Sequence, residues 1–228
     1  WIPDDKVQLC TQPYDPDALI GKRCFVGVDL ASKKDITAVA FLFPDESPMV
    51  SRILYFVPEG KVAEVEDRVD YRRWQQDGWL VVTPGDTLDE DWFVDYILKE
   101  FDRYDVQVIA YDPWGMWNIT QKFGRYQGKL DEYRQDIRNM SVPTKELESM
   151  ILQRRITFGA DPVIRWMLGN VALYVDPNAN VKLNKARSRN KIDGVVALVN
   201  AIGGYLSSES KPTNREIYTD HSLRVIRI

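Results

Sequence analysis

The sequence is poor in the residues that most often carry acid–base and redox chemistry. Among 228 residues there is a single histidine, His221, near the C-terminus. That argues against a Ser-His-Asp triad, a Cys-His pair and a histidine-rich zinc site. The two cysteines, Cys10 and Cys24, lack the spacing of a metal or redox motif and make a poor disulfide framework. A reducing compartment is expected. No apolar run reaches the length of about 18 residues that a transmembrane helix needs, and no charged-then-apolar leader opens the chain. Net charge is small as well. The 34 acids and 30 bases leave −4, so any contact with nucleic acid has to come from a local patch. What chemistry remains must be built from carboxylates, lysine, tyrosine or bound metal.

What is present is an ordinary globular composition, 44% hydrophobic and 28% charged, enough for one large domain or a domain with appendages. The chain opens at Trp1 rather than Met, and an excised fragment with partner domains upstream is expected. Residues 1–22 hold three prolines and little periodicity and read as a linker or arm. "RCFVGVDLA", "ITAVAFLFP" and "MVSRILYFVPEG" then predict three strands with short connectors, an antiparallel meander. "VAEVEDRVDYRRWQQDG" predicts a helix ending at Gly78, "WLVVTPG" a short strand, and "LDEDWFVDYILKEFDRY" a helix with acids crowding its first turn. "VQVIAYDPWG" predicts a buried strand ending at Asp112-Pro113. This strand–helix–strand alternation implies parallel pairing. Further on, "PTKELESMILQRR" and "DPVIRWMLGN" predict helices. "VALYVDPNANVKLNKA" predicts a hairpin insertion, and "KIDGVVALVNAIGGYLS" an apolar helix.

Three acids stand at element ends: Asp29 after the first strand, Asp112 after a later buried strand, Asp193 opening the last helix. Singly, each has a bland reading, as turn residues for Asp29 and Asp112 and an N-cap for Asp193. Asp35 likewise reads as a turn residue. Together they say more. Neighbouring strands would set Asp29 and Asp112 side by side, and a helix packed on that edge would bring in Asp193. Three meeting carboxylates repel one another. A hard divalent cation with oxygen ligands, Mg²⁺ or Mn²⁺, resolves the repulsion. Two such ions about 4 Å apart can clamp a phosphodiester.

The order meander-Asp, strand-Asp, late helix-Asp resembles the ribonuclease-H-like nuclease fold. More closely, "GVDLASKKDITAVAFLFP", "YDPWG" and "NKIDGVVALVNAIGG" resemble the C-terminal nuclease domain of the large terminase subunit of tailed bacteriophages, from Phe25 to about Leu206. The resemblance implies an α/β fold: a mixed sheet of antiparallel meander plus parallel strands, flanked by helices, with a β-hairpin insertion. It implies a nuclease domain over 23–208, a linker from a missing ATPase motor domain over 1–22, and a tail over 209–228. It implies Asp29, Asp112 and Asp193 as catalytic metal ligands and Asp35 as an accessory acid. The implied cofactors are two Mg²⁺ or Mn²⁺ ions. The implied substrate is concatemeric viral double-stranded DNA, cut with weak sequence specificity during packaging. The implied partners are the portal and the small terminase subunit, in the cytoplasm of an infected host, with no membrane. No Gly-x4-Gly-Lys-[Ser/Thr] loop occurs, so this chain is not expected to hydrolyse ATP.

One feature supports nuclease chemistry without the family. "VKLNKARSRNK" holds Lys182, Lys185, Arg187, Arg189 and Lys191 and no acid, just before Asp193. It reads as a phosphate-binding arm or as a solvated hairpin. Trp114 and Trp117 are expected to pack beneath the site rather than stack on bases. Lys33 and Lys34 read as solvated turn lysines, or one of them as a contact to a phosphate or a carboxylate. Two other readings stay open: half of an actin-like or sugar-kinase-like ATPase, and a non-catalytic portal-docking module using the C-terminal tail.

Overall fold

The computed structural model describes residues 1–30, 35–64 and 69–210; Lys33, Lys34, His221 and nearly all of the tail lie outside them. The elements begin with α1 (Asp4–Gln8), β1 (Arg23–Asp29), β2 (Thr37–Phe43), β3 (Met49–Pro58), α2 (Glu59–Glu64) and α3 (Tyr71–Gln76). Next come β4 (Leu80–Thr83), α4 (Glu90–Phe101), β5 (Asp105–Tyr111), α5 (Trp117–Thr120), β6 (Leu130–Glu132) and α6 (Ile137–Leu152). The chain continues through β7 (Ile156–Thr157), α7 (Pro162–Asn170), β8 (Leu173–Val175), β9 (Val181–Leu183) and α8 (Asp193–Glu209). Strands order as β4-β3-β2-β1-β5-β6, with β7 on β3. The meander β1-β2-β3 is antiparallel, while β4 joins β3 and β5 joins β1 in parallel, as the sequence implies. β8 and β9 form the separate hairpin.

The two faces of the sheet differ in side-chain size. On β2, Val39, Phe41 and Phe43 point to the α4 side, where Phe93, Ile97 and Phe101 meet them. Ala38 and Ala40 point to the other side, toward α8. Period-two alternation thus puts bulk on one face and small residues on the other. On the small face lies α8, an apolar helix buried along most of its length, and it runs antiparallel to β1. The pairing can be followed residue by residue. Arg23 bonds Glu209 at 3.0 Å, the Phe25 ring meets Tyr205 edge-on at 5.2 Å, and Asn200 donates to the Val28 carbonyl at 3.0 Å. Gly27 sits where the backbones touch: a Cβ there would lie 1.9 Å from the Ala197 carbonyl oxygen.

Several expectations are corrected. The helix expected over 62–78 is broken: α2 and α3 are separate, and α2 starts earlier, at Glu59. Residues 1–22, expected as a linker or arm, pack on the domain. Ile2, Val7, Cys10 and Leu19 are buried, and Phe158 donates to the Cys10 carbonyl at 2.8 Å. The helix expected to start at Pro143 instead starts at Ile137, capped by Asp136, with Pro143 inside it. Proline removes the N–H that would bond the carbonyl four residues back, that of Asn139. That carbonyl takes the Tyr133 hydroxyl instead, at 2.6 Å, which offsets the lost bond.

The close approach of α8 to β1 generates a prediction. Gly27→Ala puts a methyl against helix backbone that has no rotamer to yield, and should cost roughly 2–3 kcal/mol of stability. Urea unfolding reads this directly, and a wild-type midpoint would show that the helix is free to move away.

Candidate active site

The antiparallel apposition brings the C-terminal end of β1 to the N-terminal end of α8, and so Asp29 to Asp193. Both acids are buried. Asp29 is the last residue of β1, opposite Ala38, and not a turn residue. Asp193 is the first residue of α8. The N-cap position belongs to Ile192, whose side chain makes no capping hydrogen bond. Lys185 joins the two carboxylates. Its Nζ lies 2.6 Å from Asp29 Oδ2 and 3.3 Å from Asp193 Oδ1. Asp29 Oδ1 accepts from Gln135 Nε2 at 3.1 Å. Asp193 Oδ2 is buried with no hydrogen-bond partner among the described residues.

Burial, and then charge, shape the protonation behaviour here. Burial, and then the Asp29 carboxylate, push the Asp193 carboxyl up to about 6, against the pull of Lys185. Burial draws the Lys185 ammonium down, but Asp29 and Asp193 more than offset it and leave it raised. Beside this pair lies a cavity of about 460 Å³ lined by Asp35, Lys185, Ser188, Asn190, Lys191 and Asp193. Asp35 bonds Lys191 at 2.7 Å. Among the described residues, three carboxylates, Asp29, Asp35 and Asp193, therefore stand with two ammonium groups, Lys185 and Lys191.

Asp112 stands apart. Val28 and Tyr111 are register partners, so Asp112 follows β5 next to the end of β1. Its Oδ1, however, accepts from the Trp114 N–H at 3.0 Å, the local Asp-Pro turn. It lines a neighbouring hollow of about 510 Å³ with Trp114, Arg134, Gln135 and Lys182. Among the described residues, no three acid, histidine or cysteine side chains lie close enough to hold one metal ion. The expected convergence of three acids is therefore observed for two, with Asp112 reached through Gln135, which touches Asp29 and lines the hollow of Asp112.

The basic stretch also divides. Lys185 and Lys191 turn inward onto carboxylates, whereas Arg187 and Arg189 are exposed. Lys182 lines the hollow that Asp112 occupies. Trp114 does not pack beneath the site; it is 90% exposed.

The sequence pattern of the family described as "Terminase large subunit, endonuclease domain" matches residues 1–209. The chain belongs to this family. The terminase large subunit of Enterobacteria phage HK97 is 26% identical over 187 residues, 80% of this chain and 37% of that protein. Protein YmfN of Escherichia coli (strain K12) is 29% identical over 221 residues, 90% of this chain and 48% of that protein. The chain thus spans under half the length of these relatives. The crystal structure of the HK97 bacteriophage large terminase superposes with a TM-score of 0.80 at 25% identity, over 89% of this chain and 43% of that one. The large terminase nuclease from thermophilic phage G20c with bound magnesium has a TM-score of 0.51 at 15% identity, over 84% of each chain. The mixed sheet flanked by helices is the fold they share, and the ribonuclease-H-like assignment stands.

Sequence reasoning missed three supports of this terminase endonuclease domain. Gln135 follows β6, an unexpected short strand parallel to β5. Asn200 is the one polar residue in "GVVALVNAIGG", a signal the sequence does carry. Asp161 caps α7: Oδ1 accepts from the N–H groups of Val163 and Ile164, and Oδ2 from the Tyr55 hydroxyl at 2.8 Å. The Tyr55 ring packs on Gly194, beside Asp193.

Asp161 gives a test of this support. Burial pushes its carboxyl up to about 6 despite those hydrogen bonds. The native state therefore holds this proton more tightly than the unfolded chain. Its contribution to stability is greatest below about pH 4 and is lost as pH rises through about 6. Asp161→Asn keeps a capping oxygen and does not titrate. Its stability relative to wild type should rise from about pH 4 to about pH 6 and then level off. Urea midpoints across that range measure it; parallel curves for the two proteins would contradict it.

Proposed function

We propose that this domain is a divalent-metal-dependent endonuclease that cuts concatemeric viral double-stranded DNA during genome packaging. It works beside an ATPase motor, a portal and a small terminase subunit in the host cytoplasm. Family membership supports the nuclease. The observation that carries the metal is the pair Asp29 and Asp193, buried within reach of one ammonium group, with Asp193 Oδ2 unpartnered among the described residues.

The residues present fit a hard divalent cation. The donors are carboxylate oxygens, carboxylates outnumber ammonium groups there among the described residues, and a cationic group already lies between the two acids. The phage G20c nuclease, which shares the fold, was solved with magnesium. Asp29 and Asp193 would hold the ion, with Asp112 at the neighbouring strand end and Asp35 across the cavity completing the acidic surround. When bound, a pair of Mg²⁺ or Mn²⁺ ions supplies an activated water for in-line attack on phosphorus and charge stabilisation for the leaving 3′ oxygen.

The remaining work falls to the chain. β1 and α8 hold the two acids rigidly, and Gln135 fixes the orientation of Asp29. Lys191 fixes Asp35. Arg187 and Arg189, exposed beside the cavity, are placed to meet phosphates, and Lys182 serves the same purpose near Asp112. Asn184, Ser188 and Asn190 add neutral hydrogen-bonding groups with no base-reading pattern, so cleavage is weakly sequence-specific.

The test pairs cleavage with folding. The purified chain should nick plasmid with Mn²⁺ or Mg²⁺ and stop with EDTA. Asp193→Asn and Asp112→Asn should each lose roughly two to three orders of magnitude in rate while melting, without metal, at or above the wild-type temperature. Cleavage that survives chelation overturns the metal mechanism. Near-normal cleavage by folded Asp112→Asn would leave Asp112 as a turn residue only.

A further inference from the structure

Lys185 has a different situation from the other cations of its stretch. Its ammonium takes Asp29 Oδ2 and Asp193 Oδ1, one oxygen from each carboxylate. These are the oxygens that a single cation lying between the two acids needs. The acids themselves cannot leave, since one ends a strand, the other opens a helix, and their side chains are 4% and 9% exposed. The lysine side chain is 44% exposed. It enters from the solvent side on a flexible four-carbon stem.

The backbone beneath that stem is fixed. Ser188 Oγ donates to the Asn184 carbonyl and accepts from the Ala172 N–H, and the Arg189 N–H bonds the Asn170 carbonyl. The Asn170 side chain in turn donates to the Lys191 carbonyl. The loop is tied to the end of α7 and the start of β8. Only the Lys185 side chain has to move for the ammonium to leave the acids.

We propose that Lys185 is a tethered counter-cation that occupies the metal position of this nuclease and must be displaced before a divalent ion loads. The proposal rests on the reading of Asp29 and Asp193 as metal ligands. An ammonium and a divalent ion cannot share the oxygens between two carboxylates. Occupancy by the lysine therefore lowers apparent metal affinity by the fraction of time the site is free. It also spares the domain two uncompensated buried charges when no metal is present. A DNA phosphate at the cavity mouth offers the ammonium another anionic partner, so metal loading and DNA binding favour each other, reciprocally.

The experiment is calorimetric titration of Mn²⁺ into the 228-residue chain without DNA, alongside melting with and without Mn²⁺. Wild type, Lys185→Met, Lys185→Gln and Asp193→Asn are compared. Lys185→Met should bind Mn²⁺ about tenfold more tightly than wild type, melt lower without metal, and recover with it. Lys185→Gln, which keeps a hydrogen-bond donor without the charge, gives the same comparison if the Met variant does not fold. Unchanged or weaker Mn²⁺ binding by the folded Lys185 variants, with wild-type binding intact and lost in Asp193→Asn, overturns the proposal and makes Lys185 a fixed brace; the metal reading then stands. No Mn²⁺ binding by wild type or any Lys185 variant overturns the metal reading and the proposal with it.

Discussion

The site depends on how closely α8 lies against β1. The contact is made at Gly27, where strand and helix backbones touch with no side chain between them, and Ala38 and Ala40 on the neighbouring β2 extend the shallow surface on that side. From that contact the antiparallel register runs in both directions, to Arg23 and Glu209 at one end and to Asp29 and Asp193 at the other. A helix advances about 5.4 Å per turn, so a slip of one turn would carry Asp193 out of reach of the Lys185 that Asp29 holds. The chemistry at one end of the sheet is therefore set by packing in its middle.

That packing carries an electrostatic cost. Two carboxylates are taken out of water against the Lys185 ammonium, and one oxygen of Asp193 has no hydrogen-bond partner among the described residues. Burying ions without full compensation is unfavourable, and a hydrophobic pair in their place would often be more stable. A domain that keeps such a cluster in its core gives up that stability, a trade that the proposed metal site would account for. The surrounding structure offsets part of this. Asn200 ties β1 to α8, Asp161 caps α7 and supports Tyr55 under Gly194, and the loop carrying Lys185 is pinned to the end of α7.

The strands β1 to β5, the hairpin and α8 were legible in the sequence because each announces itself locally, as an apolar run, an alternation or a turn, whereas the two- and three-residue strands β6 and β7 were not. Asp29 and Asp193 were legible for the same reason, being charges at the ends of apolar segments. What was not legible depends on contacts between distant parts of the chain. Gln135 is 106 residues from Asp29, and Lys185 is 156 residues from it. No periodicity reports a partner at that distance, so a lysine in a basic stretch reads as a phosphate contact. Pro143 looks like a helix start because proline commonly stands there. The Tyr133 hydroxyl that supplies the missing partner for Asn139 lies on a segment with no strong pattern of its own. Trp114 was expected inside because large aromatics usually are; its turn holds it out instead.

The most direct test of the account is a crystal structure of the chain soaked in Mn²⁺, with the ion located by its anomalous scattering. The account predicts Mn²⁺ liganded by Asp29 and Asp193, with the Lys185 ammonium withdrawn from both carboxylates. Mn²⁺ bound at other carboxylates, with Lys185 still bridging Asp29 and Asp193, would contradict it.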